Sequence, residues 1–202
     1  MSTLLRPDLA IVAGWIAPGS RVLDLGCGEG ELLDYLRREK GVKGYGIEIE
    51  DARVVSALRR GLPVIQQDLD AGLRQFGDHS VDTVVLSLTL QAVHFPRDLL
   101  LEMLRVGREG IVSFPNMGHW QARWQLGVHG RMPVTDALPH TWYDTPNIHL
   151  CTLRDFENLC HENGVRVLQR VVLDDRRRST WANRLMPNLF GEVALYRCAS
   201  GA

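Results

Sequence analysis

The feature that most constrains the fold of this chain is an apolar segment that runs directly into alternating glycines. Residues 22–30 read Val-Leu-Asp-Leu-Gly-Cys-Gly-Glu-Gly, and residues 31–38 continue with leucines on one helical face. The apolar residues suit a central strand covered on both faces, while Gly26, Gly28 and Gly30 let the backbone turn tightly and approach a ligand. The segment therefore predicts a strand, a nucleoside-binding turn and a helix.

Carboxylates around this turn indicate the kind of ligand. A dinucleotide fingerprint that begins at Gly26 needs a third glycine at position 31, where this chain has Glu31. A phosphate also prefers a helix N-terminus without nearby carboxylates, whereas Asp24, Glu29 and Asp34 accompany Glu31 here. The sequence therefore favours a ligand with cationic groups and no phosphates, and it disfavours nicotinamide-dependent reduction.

Two further acidic residues follow apolar strands. Glu48 ends the strand predicted over residues 44–48, and Asp68 ends the strand predicted over residues 63–68. An acidic side chain at the tip of the second strand of a doubly wound sheet can accept both hydroxyls of a ribose. S-adenosylmethionine, with its sulfonium, ammonium and ribose, fits such a series. The alternatives are that Glu48 belongs to a solvated helix N-cap region and that Asp68 or Asp70 caps the following turn.

The alternation of strands and helices continues to the end of the chain. The patterns predict strands over 81–88, 110–114, 165–173 and 191–198, with helices over 97–106 and 152–163. A length of 202 residues with 45% apolar residues suffices for one domain with a sizeable core. We expect a single α/β domain.

The ordered series of glycine turn, Glu48 and Asp68 resembles the class I S-adenosylmethionine-dependent methyltransferases. The resemblance implies a Rossmann-like α/β fold with a seven-stranded, mostly parallel sheet and an antiparallel last strand. It also implies that Asp68 and the backbone of Leu69 contact adenine and that Ser87 lies near the methionyl amine. The residues expected to bind S-adenosylmethionine or S-adenosylhomocysteine are Asp24, Gly26, Cys27, Gly28, Glu48, Ile49, Asp68, Leu69 and Ser87.

Two strings narrow this resemblance. Residues 113–116, Ser-Phe-Pro-Asn, and residues 142–152, Trp-Tyr-Asp-Thr-Pro-Asn-Ile-His-Leu-Cys-Thr, are similar to the methionine biosynthesis protein MetW family. The resemblance implies a bacterial protein linked to methionine synthesis alongside a homoserine O-acyltransferase that uses an acetyl or a succinyl donor. It implies no methyl acceptor.

Residues 115–150 form the least regular part of the pattern and contain Trp120, Trp124, Trp142 and Tyr143. Ligands of open α/β sheets bind beyond the carboxyl ends of the strands, so this segment is expected to be a lid or insertion over that edge. Its aromatic residues could close a substrate pocket or anchor a protein interface. An ordinary satellite core beneath a long loop is the alternative.

No catalytic residue can be assigned from the sequence. Residues 87–91 lack the Asn-Pro-Pro-Tyr type motif that holds an amide nitrogen, which disfavours methylation of protein or DNA amides. His94, His119 and His140 are candidate bases, although lone histidines in loops are more often surface or packing residues. Two hypotheses follow: a regulatory partner of the acyltransferase that senses S-adenosylmethionine, and a methyltransferase that acts on a small molecule beneath the 115–150 segment.

Charge and hydropathy exclude other classes. A net charge of -1 provides no field for a polyanion, so the arginines at 176–178 are expected to lie in a solvated loop and no nucleic-acid partner is expected. The chain has no apolar run of the length that a signal peptide or a membrane span requires. We therefore expect a cytoplasmic protein without a membrane partner.

The cysteines indicate neither disulfides nor a metal. The four cysteines form no close pair in sequence. His149, Cys151, Cys160 and His161 could in principle converge on an ion, but their spacing disfavours it because adjacent ligands rarely face one metal.

Overall fold

The computed structural model describes residues 5–174 and 180–201, so the arginines at 176–178 lie outside the described residues. The strands are β1 (Arg21–Leu25), β2 (Lys43–Glu48), β3 (Val64–Gln66), β4 (Val81–Ser87), β5 (Gly107–Pro115), β6 (Val165–Leu173) and β7 (Val193–Ser200). The helices are α1 (Pro7–Trp15), α2 (Glu31–Lys40), α3 (Asp51–Arg59), α4 (Pro96–Val106), α5 (Trp120–His129), α6 (Leu153–Glu162), α7 (Trp181–Leu185) and α8 (Pro187–Phe190).

All seven strands belong to one sheet in the order β3-β2-β1-β4-β5-β7-β6. Strands β1 to β5 pair in parallel, and β7 lies antiparallel between β5 and β6. The predicted α/β fold, with a mostly parallel seven-stranded sheet and an antiparallel last strand, is therefore confirmed. The order of the parallel strands reverses between β1 and β4, which creates a crevice at their carboxyl ends.

Alternate residues of β1 face the two sides of the sheet. Leu23 and Leu25 pack in the core beneath α4 and α6, whereas Val22 packs in the core beneath α1 and α2. Because side chains of a strand alternate with a period of two, Asp24 points to the same side as Val22. The strand is thus buried on both faces, and its one carboxylate lies on the α1 and α2 side.

Several element boundaries differ from the sequence expectation. Strand β5 begins at Gly107, earlier than predicted. Helix α6 begins at Leu153 because Thr152 is its cap: the Thr152 hydroxyl accepts from the Asp155 N–H at 3.3 Å, and the Asp155 carboxylate accepts from the Thr152 N–H at 2.8 Å. Strand β4 ends at Ser87 because Leu88 adopts a left-handed conformation, with φ of 57°.

The 115–150 segment contains one helix that the sequence pattern did not predict. Helix α5 buries only Ala122, so it has no apolar stripe of the kind that marks a packed helix in sequence. The remainder of the segment is irregular and is held by backbone hydrogen bonds, such as those from the N–H groups of Ile148 and His149 to the carbonyl of Gln91.

The described residues contain neither a membrane-spanning helix nor a cluster of metal ligands. No helix in the described ranges has the length and apolar character to cross a bilayer. Within those ranges, no group of three or more His, Cys, Asp or Glu side chains is placed to hold a metal ion, and His149, Cys151, Cys160 and His161 form no such group.

Candidate cofactor site

A cavity of about 540 Å³ opens at the carboxyl ends of β1 and β4, where the strand order reverses. We call it the glycine-turn cavity. Its lining comes from the turn after β1, the end of β4, and helices α1, α2 and α3. The lining residues are Arg6, Leu9, Asp24, Gly26, Cys27, Gly28, Glu29, Glu31, Leu32, Arg53, Arg60, Ser87, Leu88 and Thr89.

The backbone of the turn needs glycine for two different reasons. Gly26 has a φ of 66°, and a Cβ at this position would lie 2.6 Å from the Thr89 hydroxyl, so the turn packs directly against the chain after β4. Gly28 has a φ of 58°, and a Cβ there would meet no atom within 4 Å. Because Gly28 lines the cavity, that open space belongs to the site, and a side chain would occupy room that is free for a ligand.

Asp24 supplies a buried carboxylate to this cavity. It is only 3% exposed, and no hydrogen-bond donor to its side chain occurs among residues 5–174 and 180–201. Burial, together with the negative charge of Glu48, raises the pKa of Asp24 to about 7. A cationic ligand group in the cavity would satisfy this carboxylate and favour its charged form.

Glu48 has a different environment although it ends the neighbouring strand. Its Oε2 accepts a hydrogen bond from the Gly28 N–H at 2.8 Å, and its Oε1 accepts from the N–H groups of Ile49 at 2.9 Å and Glu50 at 3.0 Å. Three of the roughly four acceptor positions of the carboxylate are thus used, which leaves one at Oε2. Both hydroxyls of a ribose can bind to the Glu48 carboxylate only if one of these three backbone N–H groups no longer donates to it.

The structure brings together five of the nine residues predicted to bind the cofactor: Asp24, Gly26, Cys27, Gly28 and Ser87 all line the cavity. Burial, with the charges of Asp24 and Glu48, raises the pKa of the Cys27 thiol to about 12, so this thiol is neutral and unsuited to nucleophilic chemistry. The Ser87 hydroxyl lies 3.1 Å from that of Ser113.

The other predicted residues lie outside the cavity lining. Glu48 reaches the turn through the Gly28 N–H, whereas the Ile49 side chain is exposed. Asp68 is exposed and accepts from the Asp70 N–H at 2.9 Å, which is the capping role considered as its alternative. The Leu69 side chain packs in the core. Adenine contacts by Asp68 and Leu69 stay a prediction.

None of the three candidate histidines is among the described residues that line the cavity. His94 is held by Asp70, whose carboxylate lies 2.6 Å from the ring nitrogen Nδ1 and also accepts from the His94 N–H. Partial burial raises the pKa of Asp70, but the hydrogen bonds from His94 and Phe95 outweigh it and lower the pKa below its usual value. His119 is buried at the start of α5, and His140 is exposed.

Three arginines in the lining were missed by the sequence reasoning. Arg6 donates to Asp8 at 3.1 Å, Arg53 pairs with Glu50 at 2.7 Å, and Arg60 pairs with Glu29 at 2.7 Å. They come from positions far from the glycine turn, and no local motif marks them. Their presence makes the cavity wall zwitterionic, with carboxylates for a cation and guanidinium groups for an anion.

This donor set fits S-adenosylmethionine, which carries a sulfonium, an ammonium and a carboxylate. The open space at Gly28 and the buried Asp24 carboxylate, to which no described residue donates a hydrogen bond, are the two features that a ligand of this charge would complete. None of the described lining residues comes from the 115–150 segment, so closure of that segment over the cavity stays a prediction.

Comparison with known proteins shows the family of this chain and agrees with its fold. The family model of methionine biosynthesis protein MetW matches residues 6–198. The bifunctional methionine biosynthesis protein MetXA/MetW of Rhodopirellula baltica is 39% identical over 179 residues, which cover 84% of this chain and 29% of that relative. The chain thus spans less than a third of the relative that it matches.

Solved structures share the fold at low sequence identity. An S-adenosylmethionine dependent methyltransferase from Mesorhizobium loti has a TM-score of 0.71 at 16% identity, and the match covers 96% of this chain and 97% of that chain. The [4+2]-cyclase SpnF has a TM-score of 0.67 at 16% identity, with 97% of this chain and 82% of that chain covered. The fold is therefore found in proteins described by different activities, and it does not by itself assign one.

Proposed function

Because the chain belongs to the MetW family of methionine biosynthesis proteins, we propose that it binds S-adenosylmethionine in the glycine-turn cavity and regulates a homoserine O-acyltransferase. The observation that carries the ligand assignment is Asp24, a buried carboxylate that faces the cavity without a protein donor. A buried charge of this kind is costly unless it is paired, and the cationic part of the ligand provides the partner.

The residues that would hold the ligand divide by charge. Asp24 is assigned to the cationic methionyl end, Gly28 provides room for close backbone approach, and Arg6 is assigned to the ligand carboxylate in addition to its pair with Asp8. Glu48 has one free acceptor position for a ribose hydroxyl. The bound ligand supplies a methyl group on a sulfonium. The chain's own residues orient the ligand and exclude water from its buried end.

The acyltransferase is proposed as partner on two grounds. The family resemblance implies it, and the Rhodopirellula baltica relative is named as bifunctional MetXA/MetW. This chain matches only 29% of that relative, which leaves room there for a second part. S-adenosylmethionine is made from methionine, so its binding to a partner of an earlier enzyme would provide feedback without any catalytic base.

A direct test is to assay the acyltransferase of the same organism with and without this chain, each at zero and at saturating S-adenosylmethionine. We expect the chain to increase acyltransferase activity and the ligand to reduce that increase. The Asp24→Asn variant should give the increase without the response to the ligand. Unchanged acyltransferase activity in all conditions, together with no co-purification of the two proteins, would refute the proposal.

The second candidate function is methyl transfer to a small molecule. The intact glycine turn and the zwitterionic cavity support it as well as they support a sensor, because both functions require the ligand to bind. Methyl transfer often needs only alignment of the acceptor with the sulfonium. It predicts release of S-adenosylhomocysteine when the chain is incubated with cell metabolites and labelled cofactor. An absence of label transfer under conditions where the ligand binds would exclude it.

A further inference from the structure

A group of exposed apolar residues at one edge of the sheet is not explained by the glycine-turn cavity. Helix α5 buries only Ala122, and helices α7 and α8 leave most of their large apolar residues exposed. Six of these residues are 37–79% exposed, and we call them the aromatic surface: Trp120, Trp124, Trp181, Leu185, Met186 and Phe190.

The two parts of this surface are joined through Asn188 of α8. The Asn188 carbonyl accepts hydrogen bonds from Nη2 of Arg123 in α5 at 3.4 Å and from Nδ2 of the buried Asn116 at 3.3 Å. Nδ2 of Asn116 also donates to the Gly191 carbonyl at 2.7 Å, directly after α8. These hydrogen bonds join α5 to α8, and exposed apolar residues lie close in sequence to the joined residues: Trp124 next to Arg123, and Met186 and Phe190 two residues on either side of Asn188.

The aromatic surface lies at the same edge of the sheet as the cavity. Pro115, at the end of β5, pairs with Val193, at the start of β7, and Leu173, at the end of β6, also pairs with Val193. Helix α5 follows β5, and α7 and α8 connect β6 to β7, so all three helices lie at the carboxyl edge of β5. Strand β4, whose end lines the cavity, is the neighbour of β5.

We propose that the aromatic surface is the docking face for the homoserine O-acyltransferase, an inference that rests on the proposed function. Large aromatic side chains offer about 150–250 Å² each, so the exposed fractions add to on the order of 700 Å². That is close to the ~800 Å² that each partner buries in a standard interface.

The rim of the surface indicates the chemistry of the partner's face. Arg131 follows α5 and Arg184 lies in α7, and both are exposed. Within residues 5–174 and 180–201 neither side chain forms an ion pair. A matching face would have an apolar centre and carboxylates at its margin, because complementary charge steers association. Docking beside the cavity would also place the partner next to the bound ligand. Binding of the ligand in the cavity can then alter how well the partner fits against the chain.

The test compares variants of the full chain for binding to the purified acyltransferase by calorimetry. The double variant Trp124→Ser, Leu185→Ser should bind at least tenfold more weakly than the unaltered chain, because apolar anchors at the centre of an interface carry most of its affinity. The matched control is Tyr45→Ser, Leu58→Ser. These residues are 51% and 52% exposed and line a groove at the opposite, amino edge of the sheet, so binding should be unchanged.

A second variant guards against loss of folding. Arg131→Glu, Arg184→Glu changes only exposed charges, and it should weaken association at low salt more than at high salt. Binding of S-adenosylmethionine by every variant checks that the site is intact.

The outcomes separate the two proposals. If both surface variants bind the acyltransferase as tightly as the unaltered chain does, the docking face is refuted and the proposed function is unaffected. An unaltered chain that binds S-adenosylmethionine but not the acyltransferase would refute the partnership itself. A homodimer by light scattering that dissociates only in the surface variants, with unchanged affinity for the acyltransferase, would assign the surface to a second copy of the chain instead.

Discussion

Asp24 and Glu48 lie at the carboxyl ends of the neighbouring strands β1 and β2, and of these two carboxylates only that of Glu48 is supplied with hydrogen-bond donors. Three backbone N–H groups donate to Glu48, whereas the described residues supply none to Asp24. The negative charge of Glu48 therefore acts on a carboxylate that is already disfavoured by burial, and the pKa of Asp24 rises to about 7. A cation that enters the cavity would therefore favour the charged form of Asp24 and lower its pKa.

The affinity for S-adenosylmethionine should increase with pH. With a pKa of about 7, Asp24 is mostly protonated at pH 6 and mostly charged at pH 7.5, so affinity should rise roughly eightfold across this range. The ligand's own amino group, with a pKa near ~8, stays largely cationic there. Calorimetry at both pH values measures the change. Asp24→Asn should bind weakly at both, and equal affinities of the unaltered chain would contradict the assignment.

Without ligand, Asp24 should lower the stability of the fold above neutral pH. The folded state keeps this proton up to about pH 7, whereas the unfolded state releases it near pH 3.8. The free energy of unfolding therefore falls by up to about 1.4 kcal/mol per pH unit between these values. Asp24→Asn removes the loss, so urea unfolding should show the variant more stable at pH 8 and not at pH 4. If Asp24→Asn raises the free energy of unfolding by the same amount at pH 4 and at pH 8, Asp24 is not the titrating group.

Replacing Glu48 should have the opposite effect on stability. In Glu48→Gln an amide nitrogen faces at least one backbone N–H, so a hydrogen bond to a charged group is lost and the free energy of unfolding should fall by about 1.5–3 kcal/mol at pH 8. Glu50→Gln is the control, since Glu50 is exposed and forms only a surface pair with Arg53, worth about 0–1 kcal/mol. Equal stabilities of the two variants in urea would count against the three-donor arrangement.

Gly28→Ala should separate backbone strain from loss of ligand space. Gly28 and Gly41 have φ values of 58° and 62°, and a Cβ at either would meet no atom within 4 Å. Each alanine should therefore cost about 1–2 kcal/mol of stability through strain. Only Gly28 lines the cavity, so only Gly28→Ala should weaken S-adenosylmethionine binding, by tenfold or more. Thermal unfolding and calorimetry on both variants test this, and equal affinities would place the ligand elsewhere.

The sequence alone determined two things: the order of the seven strands with helices α2, α4 and α6, and the position of the glycine turn. Both depend on patterns that are local in the chain: alternating apolar strands, apolar helical faces, and glycines at a strand end. The same is true of Glu48, which lies at the tip of a strand as predicted. Helix α5 escaped prediction because it is stabilised without a buried apolar stripe.

Only the tertiary structure decided what each carboxylate does and what else forms the site. Asp24 and Glu48 look alike in sequence, yet one is left without donors and the other receives three, because donors are set by how the turn folds against β2. Arg6 joins the cavity from the start of α1, and Arg53 joins it from α3, which packs against β2 and β3. Contacts between residues distant in sequence arise from packing and strand order, and no local pattern records them.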